Sequence, residues 1–384
     1  MGVRFLTPRP TTDSSQPMPW NRKKDAPSNR TDGQRARRTG PRLLVGGLRA
    51  LRLVGKAAAW SLAVSVAVIG AWIVGNQARA RFSEVATEQA AAPPSGRWVN
   101  AGDVDMFAQE WGSKEGPVIV LVHGTGAWSG TWFGTPAFLA ANGWHVVALD
   151  LPPFGFTRIK VAAPDYRRAA QARRLLLAVH AITDQPIVLL GHSFGAGPSL
   201  EAALDEPASV RRLVLVDPAL GLGVRSEMPA CRSTPARWPM DSPAARTAIV
   251  RSTVTVPALT GALLERFVHR TEVVTPDKLA QYRRPFVRQD FSARLGAWAA
   301  RFANDDCEGA ASVDADAVAA WSRQASLALI WGAEDAITPP AQGVALGRLT
   351  GTAPIFIPGV GHIPHIEDPA QFHAALAAAL AKTP

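Results

Sequence analysis

The chain has 384 residues, 47% of them hydrophobic, enough for a sizeable core in one large domain or two small ones. Its formal net charge is +10, but thirteen Lys or Arg against three Asp or Glu fall in residues 1–56, which leaves the remainder balanced. The basicity belongs to the N-terminus and not to a folded surface, which argues against nucleic acid as a partner.

Residues 1–56, rich in Pro, Ser, Thr, Asn and Arg up to Pro41, carry little apolar surface to bury and are expected to form a disordered basic tail. Residues 57–75, from Ala57 to Gly75, contain no charge. At about 1.5 Å per residue such a helix spans a bilayer core of about 30 Å. Lys56, Arg79 and Arg81 flank the run, and Trp60 and Trp72 stand near its ends where interfacial anchors belong. The positive-inside rule then places the tail in the cytoplasm and the main domain outside, at the periplasmic face of a bacterial inner membrane. Ala78-Arg79-Ala80 offers a second reading as a cleaved signal peptide, against which stands the very long leading region. The pair Arg37-Arg38 lies too far from the apolar run for a twin-arginine signal. Residues 76–97, with Ala90-Ala91-Ala92-Pro93-Pro94-Ser95-Gly96, read as a linker.

Beyond the linker, apolar runs alternate with helical spacing. Val104–Trp111, Pro117–Val122 and His145–Asp150 read as strands, and Ala169–Ile182 as a helix. Pro186–Leu190 is a strand leading to a helix over Ala196–Leu204, and Arg212–Asp217, Leu327–Trp331 and Pro354–Ile357 are further strands. Short apolar strands separated by helices predict a mostly parallel sheet covered on both faces, with ligands bound at the carboxyl ends of the strands.

Gly191-His192-Ser193-Phe194-Gly195 falls between one such strand and a helix. The flanking glycines allow a turn tight enough to lift the serine hydroxyl clear of the sheet. A serine hydroxyl is a weak nucleophile and needs a base within hydrogen-bond reach, itself oriented by an acid. His362, in the glycine-bounded loop Pro358-Gly359-Val360-Gly361-His362, is the candidate base, with His365 as a competitor. Asp335, after Trp331-Gly332-Ala333-Glu334, is the candidate acid; Asp217 is the alternative and Glu334 reads as a solvated loop charge.

With His123-Gly124 and Asp150-Leu151-Pro152-Pro153-Phe154-Gly155 added, four motifs stand in the order found in the α/β-hydrolase superfamily, which the chain resembles from about Trp98 to its C-terminus. The resemblance implies an α/β-hydrolase fold with a mostly parallel eight-stranded sheet, core segments over residues 98–219 and 327–384, and a helical cap over 220–326 after strand 6. It also implies the triad Ser193, Asp335 and His362, with backbone N–H groups of Phe194 and Thr125 as the oxyanion hole and Gly124 as an alternative. His123 and His192 read as structural histidines around the site, and Asp150 as a loop stabiliser. Trp128 and His192 are the candidate substrate contacts, with core packing the other reading of Trp128 and Trp132.

Within residues 220–326, Pro257–His269, Asp277–Tyr282 and Val287–Phe302 show helical spacing. Arg283, Arg284 and Arg288 read either as a solvated helix face or as an attractor for an acidic substrate group. The two cysteines, Cys231 and Cys307, both fall in this segment and would pair as one disulfide in an extracytoplasmic domain, or remain buried thiols in a cytoplasmic one. No zinc spacing, phosphate loop or dinucleotide fingerprint is present, so no cofactor is expected. The sequence therefore predicts a membrane-anchored serine hydrolase that cleaves an ester or related acyl bond of a small-molecule substrate. Carbon–carbon hydrolysis of the meta-cleavage type and a non-catalytic anchored binding protein are the alternatives. A serine at position 193 argues against the dehalogenase and epoxide hydrolase branches, which use an aspartate there.

Overall fold

The computed structural model describes residues 42–220, 239, 241–304 and 309–381. Cys231, Cys307 and the expected tail up to residue 41 lie outside them. The first element, α1 (Arg42–Ser83), is longer than the charge-free run at both ends, so residues 42–56 and 76–83 are helical rather than tail and linker. No proline interrupts the chain from Arg42 to Ala92, and Leu, Ala, Val and Arg dominate it, which accounts for the extension. Within α1, Leu51–Ser83 is long and apolar enough to cross a membrane, and its most apolar window is wholly unburied.

By internal contacts the chain divides into Met1–Ala63 and Val64–Pro384. In the second unit the end of α1 is followed by α2 (Glu88–Ala91), β1 (Gly96–Asn100), β2 (Val104–Trp111), β3 (Val118–Val122), α3 (Thr135–Ala141), β4 (His145–Leu149) and β5 (Arg158–Ile159). Then come α4 (Arg168–His180), β6 (Ile187–His192), α5 (Ala196–Asp205) and β7 (Val210–Val216). A helical stretch holds α6 (Pro243–Ser252), α7 (Pro257–Glu265), α8 (Pro276–Arg283), α9 (Phe291–Asn304) and α10 (Ala315–Ser322). The chain closes with β8 (Leu327–Gly332), α11 (Pro340–Thr350), β9 (Ile355–Ile357), α12 (Pro364–Glu367) and α13 (Pro369–Ala381).

The strands lie in the order β1-β2-β4-β3-β6-β7-β8-β9, with β5 paired to β2 off that path. The main path has the eight expected strands, and the two-residue β5 adds a ninth. Pairs involving β2 are antiparallel and all pairs from β4 to β9 are parallel. Alternate residues of each strand enter opposite layers. Val120, Val122, Leu189, Leu213 and Leu329 pack with Leu175 of α4, Leu200 of α5 and Leu346 of α11. Ile119, Leu121, Leu190, Val214 and Ile330 pack with Leu139 of α3 and Phe372 and Leu376 of α13. Each such side chain contributes about 1.5–3 kcal/mol on burial, which fixes the register because a one-residue slip would exchange the two faces.

This topology positions the site. The chain passes from β3 to β4 on one side and then returns to lay β6 on the other side of β3, so the strand order reverses there. Such a reversal opens a crevice at the carboxyl ends of the two strands, where His123-Gly124 and Ser193 follow them. Asp150, Asp217, Asp335 and His362 follow β4, β7, β8 and β9 at the same edge.

Candidate active site

Ser193 follows β6 directly with φ +51°, a left-handed conformation that strains an L-residue by about 1–2 kcal/mol. Its glycine flanks are dictated by close approach. A Cβ at Gly191 would lie 2.7 Å from Ser199 Oγ and 2.8 Å from Ala196 Cα, and one at Gly195 would lie 2.4 Å from the His123 carbonyl. The sharp turn therefore forms only with glycine at both positions.

Ser193 Oγ is 2.8 Å from His362 Nε2, and His362 Nδ1 is 2.8 Å from Asp335 Oδ2. All three residues are buried. His365, the competing base, turns away: its ring lies tilted against Trp132 at 4.6 Å between centroids and its buried Nδ1 has no hydrogen-bond partner. Burial pushes the Asp335 carboxyl up, but hydrogen bonds from His362 and Thr338 outweigh it and hold the group below the usual range. As a carboxylate, Asp335 accepts the Nδ1–H of His362, which leaves Nε2 to accept the Ser193 hydroxyl proton.

Thr338 is a residue the motif reading did not single out. Its hydroxyl donates to Asp335 Oδ2 at 2.6 Å, and the N–H groups of Ile337 and Thr338 donate to Oδ1 at 2.7 and 2.9 Å. The spacing Asp335-x-x-Thr338 is the signal that could have revealed it, since a carboxylate commonly captures N–H groups two and three residues on. Asp217, the alternative acid, receives the Gly332 N–H at 2.8 Å and makes no bond to His362. Its second oxygen is buried and unpartnered, and burial, then the neighbouring Asp335 charge, raise its pKa well above the ordinary value.

Two further histidines hold the surrounding loops. His192 Nε2–H donates to the His362 carbonyl at 2.7 Å, and burial, reinforced by His362, lowers its pKa to about 3, so the ring is neutral. His123 Nδ1–H donates to the Gly124 carbonyl at 2.8 Å while its Nε2 accepts the Leu151 N–H at 3.0 Å, and burial lowers its pKa to about 4. His123 thus ties the loop after β3 to the loop after β4. Asp150 braces that second loop by accepting the N–H groups of Ser129 and Phe156 at 2.6 and 2.7 Å. Burial raises its pKa to about 6, against those bonds and the nearby Arg288.

The substrate-contact reading of Trp128 and the solvated-face reading of Arg288 are revised, while Trp132 follows its core reading. Trp128 is fully buried with Phe107 and Phe156, and its indole N–H donates to the Gln281 carbonyl at 2.8 Å, so its ring serves packing between β2 and α8. Trp132 is likewise a core residue, in the layer with α3 and α13. Arg288 belongs to no solvated face: it is fully buried and donates to the carbonyls of Pro153, at 3.1 Å, and Gly155. Thr125 is exposed at the site's edge, and a Cβ on its neighbour Gly124 would lie 3.0 Å from Ser193 Cβ, so this loop runs beside the serine. Phe194 is buried, its ring against Phe154 and Trp298.

Glu367, also missed as a functional candidate, clamps the histidine loop. Its carboxylate accepts the N–H groups of Gly361 and Ile363 on either side of His362, at 3.0 and 3.2 Å. It also accepts those of His269 and Arg270, just beyond α7, at 2.8 and 3.1 Å.

Residues 117–369 match the family model described as alpha/beta hydrolase fold, and the chain belongs to that family and is a hydrolase. An uncharacterized protein of Mycobacterium tuberculosis is 27% identical over 270 residues, 67% of this chain and 73% of that one. A putative lipase of Acinetobacter baumannii superposes with a TM-score of 0.59 at 22% identity, over 76% of this chain and 93% of that one. A membrane phospholipase A described as a bacterial virulence factor superposes with a TM-score of 0.54 at 22% identity, over 86% and 98% of the two chains. At these identities the two solved structures speak for the fold.

Proposed function

We propose that this chain is a membrane-anchored serine hydrolase that cleaves an ester or related acyl bond through an acyl-enzyme. The reading rests on the unbroken hydrogen-bonded chain from Ser193 Oγ through the His362 imidazole to Asp335. His362 takes the Ser193 proton as Oγ attacks the acyl carbon, then returns it to the leaving group; water attacks the acyl-enzyme by the same route in reverse. Asp335 holds the tautomer and stabilises the imidazolium.

The developing oxyanion is met by the Phe194 N–H and the Thr125 N–H. His123 holds the Gly124 carbonyl, and in a planar trans peptide the Thr125 N–H then points away from His123. Each such donor is worth about 3 kcal/mol in the transition state. α1 serves as the anchor, with the N-terminus in the cytoplasm and the hydrolase outside, and α6–α10 form the cap.

A fluorophosphonate probe tests the reading: the wild type becomes labelled and Ser193→Ala does not. Labelling of neither protein would point to a binding role. Turnover of a dienoic diketone with none of p-nitrophenyl esters would replace acyl transfer by carbon–carbon hydrolysis.

A further inference from the structure

We infer that the outward face of α7 is a second membrane contact, resting in the interfacial layer of the bilayer that α1 crosses. The inference rests on the anchor reading of α1 and deepens it. α7 turns Thr260 and Leu264 inward, while Pro257, Ala258, Leu259, Ala262 and Leu263 are exposed. Leu259 and Leu263 are 36% and 37% exposed, and no charge appears on the helix before Glu265. A helix that borders water ordinarily carries its charged residues on the outer side.

Its position relative to the span is fixed by α6. The indole N–H of Trp72 donates to the Ser252 carbonyl at 3.0 Å, and Gln77 Nε2 donates to the Ala248 carbonyl at 3.5 Å. Arg79, four residues past the end of the charge-free run, donates to the Arg251 carbonyl and to Thr255 Oγ1, both at 3.2 Å, so the end of α6 and the turn after it sit beside the border of that run. Trp72 lies about 5 Å inside the end of that run, Gly75, at 1.5 Å per residue. α7 begins two residues after Thr255, at that border, and is bent 82° from α6. Helices lying in the interface bury their apolar side about 5–10 Å deep, which the uncharged outer face of α7 suits.

The site adjoins this helix. Two residues past α7, the Phe267 carbonyl accepts the His362 N–H at 3.1 Å, and the Phe267 ring lies 5.9 Å from the imidazole. α7 thus stands between the bilayer and the histidine loop, its inward Leu264 packing with Ile363, and the substrate class that follows is an amphiphilic acyl ester residing in the bilayer.

The test uses the full chain in phosphatidylcholine–phosphatidylglycerol vesicles. With Leu259→Cys carrying an NBD fluorophore, in a background with Cys231 and Cys307 changed to serine, nitroxide placed at the shallow acyl-chain level should quench the emission. Leu259→Glu with Leu263→Glu should leave hydrolysis of dissolved p-nitrophenyl butyrate within about twofold, while hydrolysis of a vesicle-borne long-chain methylumbelliferyl ester falls by about tenfold or more. Protein that resists alkaline carbonate extraction yet shows no quenching, with unchanged vesicle activity in the double variant, overturns the α7 contact and leaves the anchor standing. Release of the wild type by carbonate overturns both. Should the double variant lose both activities through misfolding, the NBD result decides.

Discussion

The carboxyl edge of the sheet and the inserted helices α6–α10 are held in place by different kinds of contact. At the sheet edge each group is fixed by neighbours in sequence: Ser193 by Gly191 and Gly195, Asp335 by Ile337 and Thr338, His362 by Glu367. The inserted helices are tied down by bonds between residues far apart in sequence, such as Trp128 to the Gln281 carbonyl, Arg288 to the Pro153 carbonyl and Trp72 to the Ser252 carbonyl. The sheet edge is held locally and the inserted helices non-locally.

This contrast orders the expected effects of substitution. Ser193→Ala or His362→Ala should lower kcat by about a millionfold, as groups of a single catalytic unit do, with folding intact by circular dichroism. Asp335→Asn should lower kcat by about ten-thousand-fold, because the amide disturbs the His362 tautomer. Asp217→Asn should change it by less than about tenfold, since the carboxyl, whose pKa burial raises well above the ordinary value, makes no bond to the imidazole. Comparable losses at 217 and 335 would show that the two acids act as one unit.

Glu367→Ala removes a carboxylate that holds both regions, leaving four N–H groups without it; we expect about 3 kcal/mol lost in urea unfolding and a lower kcat. Arg288→Met should destabilise by about 2 kcal/mol through the freed carbonyls of the 153–155 loop, with a smaller effect on kcat.

A further expectation concerns pH. His192 has a folded pKa of about 3 against 6.5 for a free histidine, so the unfolded chain takes up the proton first. Its contribution is complete above pH 6.5 and is lost as pH falls toward 3, at about 1.4 kcal/mol per pH unit within that window. His192→Asn keeps a donor for the His362 carbonyl and cannot take up the proton. Its unfolding free energy should therefore fall less steeply on acidification than that of the wild type.

Much of the sheet was legible because a parallel strand buried on both faces is a near-continuous apolar run, as Val118–Val122 and Ile187–Leu190 are. The convergence of Ser193, Asp335 and His362 was legible because each sits in a motif whose backbone demands glycine or a captured N–H. β1 was missed because its sequence, Gly96-Arg97-Trp98-Val99-Asn100, buries only Val99 fully at a sheet edge and lacks an apolar run. The role of Trp128 was misjudged because an aromatic beside a glycine loop suits a pocket or a core equally, and only Gln281, distant in sequence, decides. Arg288 was misplaced for a related reason: a cluster of arginines suggests water, and nothing local reveals three carbonyls waiting for one guanidinium.

The most direct measurement is a rapid-quench reaction with a p-nitrophenyl ester, followed by mass spectrometry of the peptide that carries residue 193. The account predicts a burst of p-nitrophenolate with the acyl group on Ser193, and neither in Ser193→Ala. Turnover that persists in Ser193→Ala, or an acyl group found on another side chain, would contradict it.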